Sequence, residues 1–394
     1  MFTHVGRIFQ IPLPFFHPFV AAGAEAARQV LVTDRHKLLW RSPDPVTDLL
    51  DQGLLVMDGN EQDRYRELMQ PSLILDVLPS YFDLMYEKVK IFTEEWQNGQ
   101  EVEMLVECRK ITLLIIMETL CSEDAWRDIQ QIWKPILKSI EYISPGPWIL
   151  WRRIPRPGYQ KYFTILDDYL FEIIRTRRAG SKKQDLLANL LDEGLTNKQI
   201  KEQMRAMLIA GHDTGTELLA WIFTLLGQNP EVYSKLFEEL DKSIGQYILK
   251  YLDEVFKETL RLYPPINIGN RMVNEKMLID GESIAPGEMP FYSIFLTLHV
   301  PQCWEKPGEF CPDRFTAGKK QTAFSYIPFD GGPLAFIGAA FGQVEARIEI
   351  TNLIKTFQFD AQNPNRIFPY MGAALEPRPA VMMVVNRREN VSPN

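Results

Sequence analysis

A mainly α-helical fold with a small β-region is what this sequence predicts, and three observations carry the prediction. Helix patterning dominates from Pro79 to Leu262. Strand signals cluster elsewhere, at Arg7 to Ala22 and Ala380 to Val385. The stretch Tyr326 to Ile350 opens as a tight loop, because Pro328, Gly331, Gly332 and Pro333 sit poorly inside a helix or a central strand. From Ile337 it continues as a helix of small and apolar residues at helical spacing, with Glu345 and Arg347 available to the polar side. A glycine-rich loop feeding an apolar helix brings backbone close to something flat or charged. The plainer alternative is a tight turn before a buried helix.

Bulk properties narrow the class. At 394 residues the chain can bury a large core as one big domain or two. Its 46% hydrophobic and 24% charged fractions are those of a soluble globular protein. A net charge of −8 does not suggest a nucleic-acid partner. Cys108, Cys121, Cys303 and Cys311 have neither metal-site spacing nor disulfide-scaffold density, so a reducing cytoplasm is the expected location. The start, M-F-T-H-V-G-R-I-F-Q-I-P, lacks a charged segment followed by an apolar one. No stretch reaches the roughly 18 apolar residues of a membrane span, so no transmembrane anchor is expected. Arg387 to Asn394 reads as a frayed end.

In chain order, Arg7 to Pro12 and Pro18 to Ala22 read as a short hairpin, and Ala24 to Val32 as a helix. Gly53 to Asp58 leads into N-E-Q-D-R-Y-R-E-L-M-Q-P, which carries Gln62 and Arg66; alone, Arg66 reads as a solvated helix arginine. Pro79 to Glu193 is mostly helical, broken by S-P-G-P at Ser144 to Pro147 and I-P-R-P-G at Ile154 to Gly158. Within it, L-D-D-Y-L-F-E at Leu166 to Glu172 invites a metal-diphosphate reading, against the commoner fate of helix charges as a solvated face. Arg175, Arg177 and Arg178 suit a helix C-terminus.

Met204 to Leu226 is a largely uncharged helix holding A-G-H-D-T-G at Ala210 to Gly215. Glycine lets such a helix widen or approach a ligand. A buried Asp213–Thr214 pair is costly without a partner, which points to function. His212 reads as a helix-packing residue. Next, K-E-T-L-R-L-Y-P-P places Glu258 and Arg261 on one helix face, and C-P-D-R-F supplies Arg314.

The loop resembles the haem-binding segment of the cytochrome P-450 superfamily, F-G-x-G-x-R-x-C-x-G. Phe329, Gly332 and Gly338 match. Asp330 stands where the family has Gly, Leu334 where it has Arg, and Phe336 where it has the iron-ligating Cys. The A-G-H-D-T-G helix resembles the family's kinked central helix, which makes Asp213 and Thr214 the proton-delivery pair. The Glu258, Arg261 and Arg314 elements resemble the family's E-x-x-R and P-x-R-F motifs, which implies mutual contact. Arg66, Arg271 and His299 match positions that touch the haem propionates; Gln62 replaces a further His or Trp. The resemblance runs from about Gly6 to Arg388. It implies the P-450 fold as a single domain over 1–394, with a shortened N-terminal leader, β-structure mainly at 7–22, 266–298 and 366–388, and helices over 60–262 and 338–356.

Departures from the family pattern shape the functional expectation. Between Pro328 and Gly342 there is no Cys, His, Met or Tyr, and Asp330 alone carries a side-chain donor atom, six positions before the ligand place. Phenylalanine has no lone pair to give, and oxygen scission in this family depends on electron push from a thiolate. Haem b, the family cofactor, is therefore not expected to be held as in the family, no other metal is indicated, and without haem a redox partner is not expected. Three readings stay open. In the first, the chain binds a small hydrophobic metabolite of secondary or lipid metabolism and performs haem-independent acid–base chemistry through Asp213, such as a terpenoid-like cyclisation or isomerisation. In the second it is a non-catalytic pseudoenzyme partner; in the third, a haem monooxygenase with unconventional ligation.

Overall fold

The computed structural model describes residues 8–11, 18–40, 44–146, 156–180, 183–243, 249–279, 281–316, 321–332 and 335–389. In chain order the elements are β1 (Ile8–Gln10), β2 (Phe19–Ala21), α1 (Ala24–Arg28), β3 (Leu38–Leu39), α2 (Pro45–Leu50), α3 (Gly59–Met69), α4 (Phe82–Thr93), β4 (Gln100–Glu103), α5 (Met104–Cys121), α6 (Ile129–Ile143), α7 (Gln160–Ala179), α8 (Leu186–Asp192), α9 (Asn197–Gln228), α10 (Pro230–Lys242) and α11 (Lys250–Leu262). There follow β5 (Ile268–Asn270), β6 (Met272–Val273), β7 (Met277–Ile279), β8 (Glu282–Ile284), β9 (Phe291–Ser293), α12 (Ile294–Thr297), α13 (Ala339–Thr356), β10 (Phe357–Ala361), β11 (Phe368–Met371), β12 (Leu375–Arg378) and β13 (Met382–Arg387). The mainly α architecture with a small β-region matches the expectation from sequence.

The long helix α9 is the axis of the helical part. It starts at a reciprocal cap: Thr196 Oγ1 accepts from the Gln199 amide at 3.3 Å, while Gln199 Oε1 accepts from the Thr196 amide at 3.0 Å. Most of its residues are buried, because α5, α6, α7, α11 and α13 pack round it. The main core joins Ile111, Leu114 and Ile115 of α5, Leu219, Ile222 and Phe223 of α9, and Ile350 and Leu353 of α13. Each such side chain contributes ~1.5–3 kcal/mol when fully buried. A second, smaller core lies under the strands, around Leu31, Val273, Ile284, Tyr292 and Ile294.

Strands form a four-stranded sheet in the order β1-β2-β9-β5, with β2 and β9 parallel, and a three-stranded antiparallel sheet β10-β13-β4. Three two-stranded pairs complete the β-region: β11-β12, β3-β6 and β7-β8. Several expected boundaries need correction. Strand β4 falls inside the span expected to be helical, and β3 and β10 lie outside the expected strand ranges. β4 reads Q-E-V-E, in which Val102 alone is buried, opposite Met383 of β13, so its alternation is too short to read. The helix from Ala24 is α-helical only to Arg28 and continues as a π-turn to Thr33, where the Asp34 amide reaches back to Gln29 O at 2.9 Å. Arg387 ends β13 and Arg388 is anchored, its Nε donating to Ile354 O at 3.0 Å, so these two residues are not frayed. Residues 390–394, like Arg7 and Pro12, lie outside the described residues.

Asp167, from the L-D-D-Y-L-F-E stretch, ties α7 to α9. It accepts from Lys201 Nζ at 3.0 Å and Arg205 Nη1 at 2.7 Å. That carboxylate is committed to an inter-helix ion pair, and no group of His, Cys, Asp and Glu suited to a metal occurs among the described residues. A polar cleft of about 590 Å³ lies beside it, lined by Asp48, Gln52, Tyr142, Lys201 and Arg205. No described helix is long and apolar enough to cross a membrane.

Candidate functional site

On α9 the A-G-H-D-T-G segment presents two faces. Ala210, Gly211, Thr214 and Gly215 are half-buried and form one stripe, while His212, Asp213 and Thr216 are buried. Thr214 Oγ1 donates to Ala210 O at 2.8 Å, back onto its own helix. Asp213 faces α5, where Arg109 Nη2 lies 3.4 Å from its Oδ1. The same guanidinium lies 2.8 Å from Glu217 Oε1 and 3.4 Å from Glu376 Oε2, and Arg378 Nε donates to Glu376 Oε1 at 2.8 Å. Three carboxyls thus share Arg109 in a buried setting. Burial pushes the Asp213 carboxyl up to about 6; Arg109 opposes this and Glu376 adds to it. Burial, reinforced by Asp213, holds Glu217 well above the ordinary range. His212 packs in the core as expected, its Nε2 2.8 Å from Arg109 O and its ring edge-on to Trp133. Burial pushes it down to about 3.

The glycine-rich loop closes on itself: the Phe336 amide donates to Phe329 O at 3.1 Å and the Ala335 amide to Gly332 O at 3.1 Å. Gly332 needs its missing side chain, since φ is 64° and a Cβ would meet Val32 Cγ2 at 2.9 Å and Leu31 O at 3.1 Å. Asp330 also has positive φ, 62°. Its Oδ2 accepts from the Tyr292 hydroxyl at 2.9 Å, while its Oδ1 is buried without a partner. Burial pushes Asp330 up to about 6, with Arg271 opposing. Phe336 is half-buried; Leu334 lies outside the described residues.

The three cationic positions meet different partners. Arg66 donates to Ala335 O, beside Phe336; burial and Arg35 lower its pKa. Arg271 lies over the Trp40 ring at 5.2 Å and donates to Asn270 O at 3.0 Å. His299 Nδ1 is 2.8 Å from Phe295 O and its ring stacks on Phe295; burial pushes it down to about 4. Gln62 donates weakly to Leu54 O at 3.5 Å.

Glu258, Arg261 and Arg314 are in mutual contact. Arg261 Nε reaches Glu258 Oε2 at 2.8 Å and Arg314 Nε reaches Oε1 at 2.8 Å. Arg261 is fully buried and also donates to the carbonyls of Leu298, Pro307 and Glu309. This cluster fixes α11 to the segment that leads into the loop, which the Tyr326 hydroxyl supports by donating to Lys257 O at 3.2 Å.

Sequence reasoning missed Arg109, Glu217 and Glu376. Glu217 lies one turn beyond Asp213 and was findable as a second acid on the same face; nothing in local spacing links positions 109 or 376 to it. It also misassigned Glu345 and Arg347 to a polar side. Both are buried, Arg347 because its Nη2 pairs with Asp253 at 2.7 Å and its guanidinium covers Phe256.

Comparison with known proteins adds family information. A family model described as Cytochrome P450 matches residues 1–384. The chain is 25% identical to the cyclooctatin synthase of Streptomyces melanosporofaciens over 402 residues, covering 94% of this chain and 84% of that protein. It is 27% identical to the cytokinin hydroxylase of Arabidopsis thaliana over 379 residues, covering 88% of this chain and 74% of that one. Among solved structures, a cytochrome P450 mutant heme domain superposes with a TM-score of 0.86 at 21% identity, covering 97% of this chain and 90% of that one.

Proposed function

The chain belongs to the cytochrome P450 family, and from that premise we propose that it is an enzyme acting on a small hydrophobic molecule by acid–base chemistry, without a haem-thiolate centre. One observation carries the reading: no Cys, His, Met or Tyr occurs between Pro328 and Gly342, where the loop's resemblance to the family's haem-binding segment sets Phe336 at the place of the ligating Cys. The surrounding residues do not fit haem either. The Arg66 guanidinium is taken up by the Ala335 carbonyl, His299 is bonded to Phe295 O and held neutral by burial, and the loop carries an extra buried carboxyl at Asp330. No step is therefore derived through haem.

Asp213 is the acid of this reading. It sits in the A-G-H-D-T-G segment of α9, one residue from the half-buried Thr214, and burial keeps its proton to higher pH than usual. A carboxyl that titrates near 6 is matched to proton transfer toward an alkene, epoxide or carbonyl at neutral pH. Product formation then requires a base to take a proton back, and Glu376 across Arg109 is available for that.

A second reading keeps haem with unconventional ligation. It is favoured by the family match; the motif resemblance also sets Arg66, Arg271 and His299 at propionate positions. The experiment is a spectrum of purified protein, reduced under carbon monoxide, together with turnover of hydrophobic substrates by wild type and Asp213→Asn. We expect no thiolate-type Soret shift and turnover that depends on Asp213. A thiolate-type spectrum overturns the proposal in favour of the second reading, and turnover indifferent to Asp213→Asn removes the acid.

A further inference from the structure

The polar cleft takes no part in the site at Asp213. It holds about 590 Å³ between α2, α6, α7 and the first half of α9. Arg205, in its wall, stands eight positions before Asp213 on α9, roughly 12 Å along the axis. It is turned to Asp167 of α7, whereas Asp213 is turned to Arg109 of α5.

Lys201 and Arg205 are one helical turn apart, and only 5% and 4% exposed. Buried cations are costly unless paired. Here one carboxylate serves both, giving an oxygen to Lys201 at 3.0 Å and the other to Arg205 at 2.7 Å. Donors are left over, since an ammonium has three and a guanidinium five. No further hydrogen bond of either side chain is found among the described residues, and Arg205 Nε is buried without a partner. Other groups of the wall are acceptors. Asp48 takes the Tyr142 hydroxyl on Oδ2 at 3.1 Å and keeps Oδ1. Asp51 is hydrogen-bonded to the buried Glu202, whose proton is held to higher pH first by burial and then by Asp51. The exposed side-chain amides of Gln52 and Gln160 line the same cleft with no partner among the described residues. Phe163 adds an apolar patch.

Charge decides the class of ligand. Asp48, Asp51 and Asp167 stand against Lys201 and Arg205, three carboxyls to two cations, so the cleft as a whole does not attract an anion. A cation fares no better, because both oxygens of Asp167 are taken and two cations lie beside it. Hydroxyl groups give and accept hydrogen bonds without adding charge. We infer that this cleft binds a neutral polyhydroxylated ring, a sugar or cyclitol, whose hydroxyls accept from Lys201 and Arg205 and donate to Asp48 while a C–H face rests on Phe163. This site is separate from the proposed acid–base centre and does not depend on it.

The test is calorimetry with methyl β-D-glucopyranoside, methyl β-D-galactopyranoside and myo-inositol, set against inorganic phosphate and putrescine. The proteins are wild type, Arg205→Met, the double variant Gln52→Ala with Gln160→Ala, and Asp213→Asn. At least one neutral compound binds wild type, and phosphate and putrescine do not. Arg205→Met weakens that binding by roughly 10- to 100-fold, as expected for hydrogen bonds from a charged donor. The double amide variant weakens it by roughly 2- to 10-fold; both residues are exposed, so it serves if Arg205→Met does not fold. Asp213→Asn leaves the affinity unchanged. The inference is overturned if none of the three neutral compounds binds, or if phosphate or putrescine binds more tightly than they do. Affinity unchanged in every folded cleft variant, or lost in Asp213→Asn, overturns it as well.

Discussion

Replacing Asp213 by Asn separates an acid from a structural anchor, because the two roles predict opposite changes in stability. The Asp213 carboxyl is raised from 3.8 to about 6, first by burial. That rise corresponds to ~3 kcal/mol of penalty on the ionised form. Below the unfolded value both states hold the proton and the group contributes nothing. As pH climbs from 3.8 to about 6 the folded state holds its proton longer than the unfolded one, and the penalty builds. Above that range it is present in full. Asn removes it, at the loss of attraction to Arg109, which keeps Glu217 at 2.8 Å and Glu376 at 3.4 Å. The expected outcome near pH 7 is a variant as stable as wild type or more stable by ~1–2 kcal/mol, with the gain vanishing as pH falls to 4. Turnover should fall by roughly 10²–10⁴-fold. Urea melts of both proteins from pH 4 to 8, with turnover at each pH, make the measurement. Parallel stability curves would show that Asp213 carries no raised pKa. A loss of several kcal/mol with turnover of folded protein intact would make it an anchor, and the acid role would be dropped.

Other perturbations follow from neighbouring geometry. Glu258→Gln leaves the buried Arg261 and Arg314 facing an amide and should cost ~3–5 kcal/mol by urea denaturation; a cost near zero would mean the cluster does not hold α11 to the loop segment. Phe336→Cys supplies a thiol, yet should not give full haem retention, since the motif resemblance sets Gln62 and Leu334 where the family has two further donors; stoichiometric haem in that single variant, measured by pyridine haemochrome, would refute this. Gly269→Ala puts a Cβ 2.0 Å from Tyr292 Cζ, so Tyr292 must move and release Asp330. Overpacking of this kind should lower stability by ~1–3 kcal/mol, and an unchanged thermal midpoint would show that the ring relocates freely.

How much was legible in sequence depended on whether a feature was local. Glu258 and Arg261 share a helix face and Arg314 sits in a short recognisable motif, so their contact could be expected from spacing and resemblance. Asp213 and Thr214 were findable as polar residues on a largely uncharged helix. Their environment was not, because Arg109 comes from α5 and Glu376 from β12, positions joined to α9 only by tertiary packing. Glu345 was misread for a related reason. A charged residue on an apolar helix looks like solvent exposure until a third helix covers it, and here α5 and α9 do. Strand β4 was missed because its pairing with β13 spans most of the chain.

The electrostatics of the interior single out one region more sharply than the loop motif does. Asp213, Glu217, Glu345, Glu349 and Glu376 lie buried on or against α9 and α13, and the ion pairs recorded for them involve Arg109 and Arg378. Full ionisation would leave five negative charges against the buried Arg109 and the largely exposed Arg378. Protons must therefore be retained, and burial acts to raise Asp213, Glu217, Glu345 and Glu349 together. A protein that needed only a stable core would gain from replacing such groups with apolar ones. Gly211 and Gly215 on α9, and Gly342 in the first turn of α13, carry no side chain on the same helices. A store of protons beside these glycines is what the proposed acid–base chemistry on a hydrophobic ligand requires.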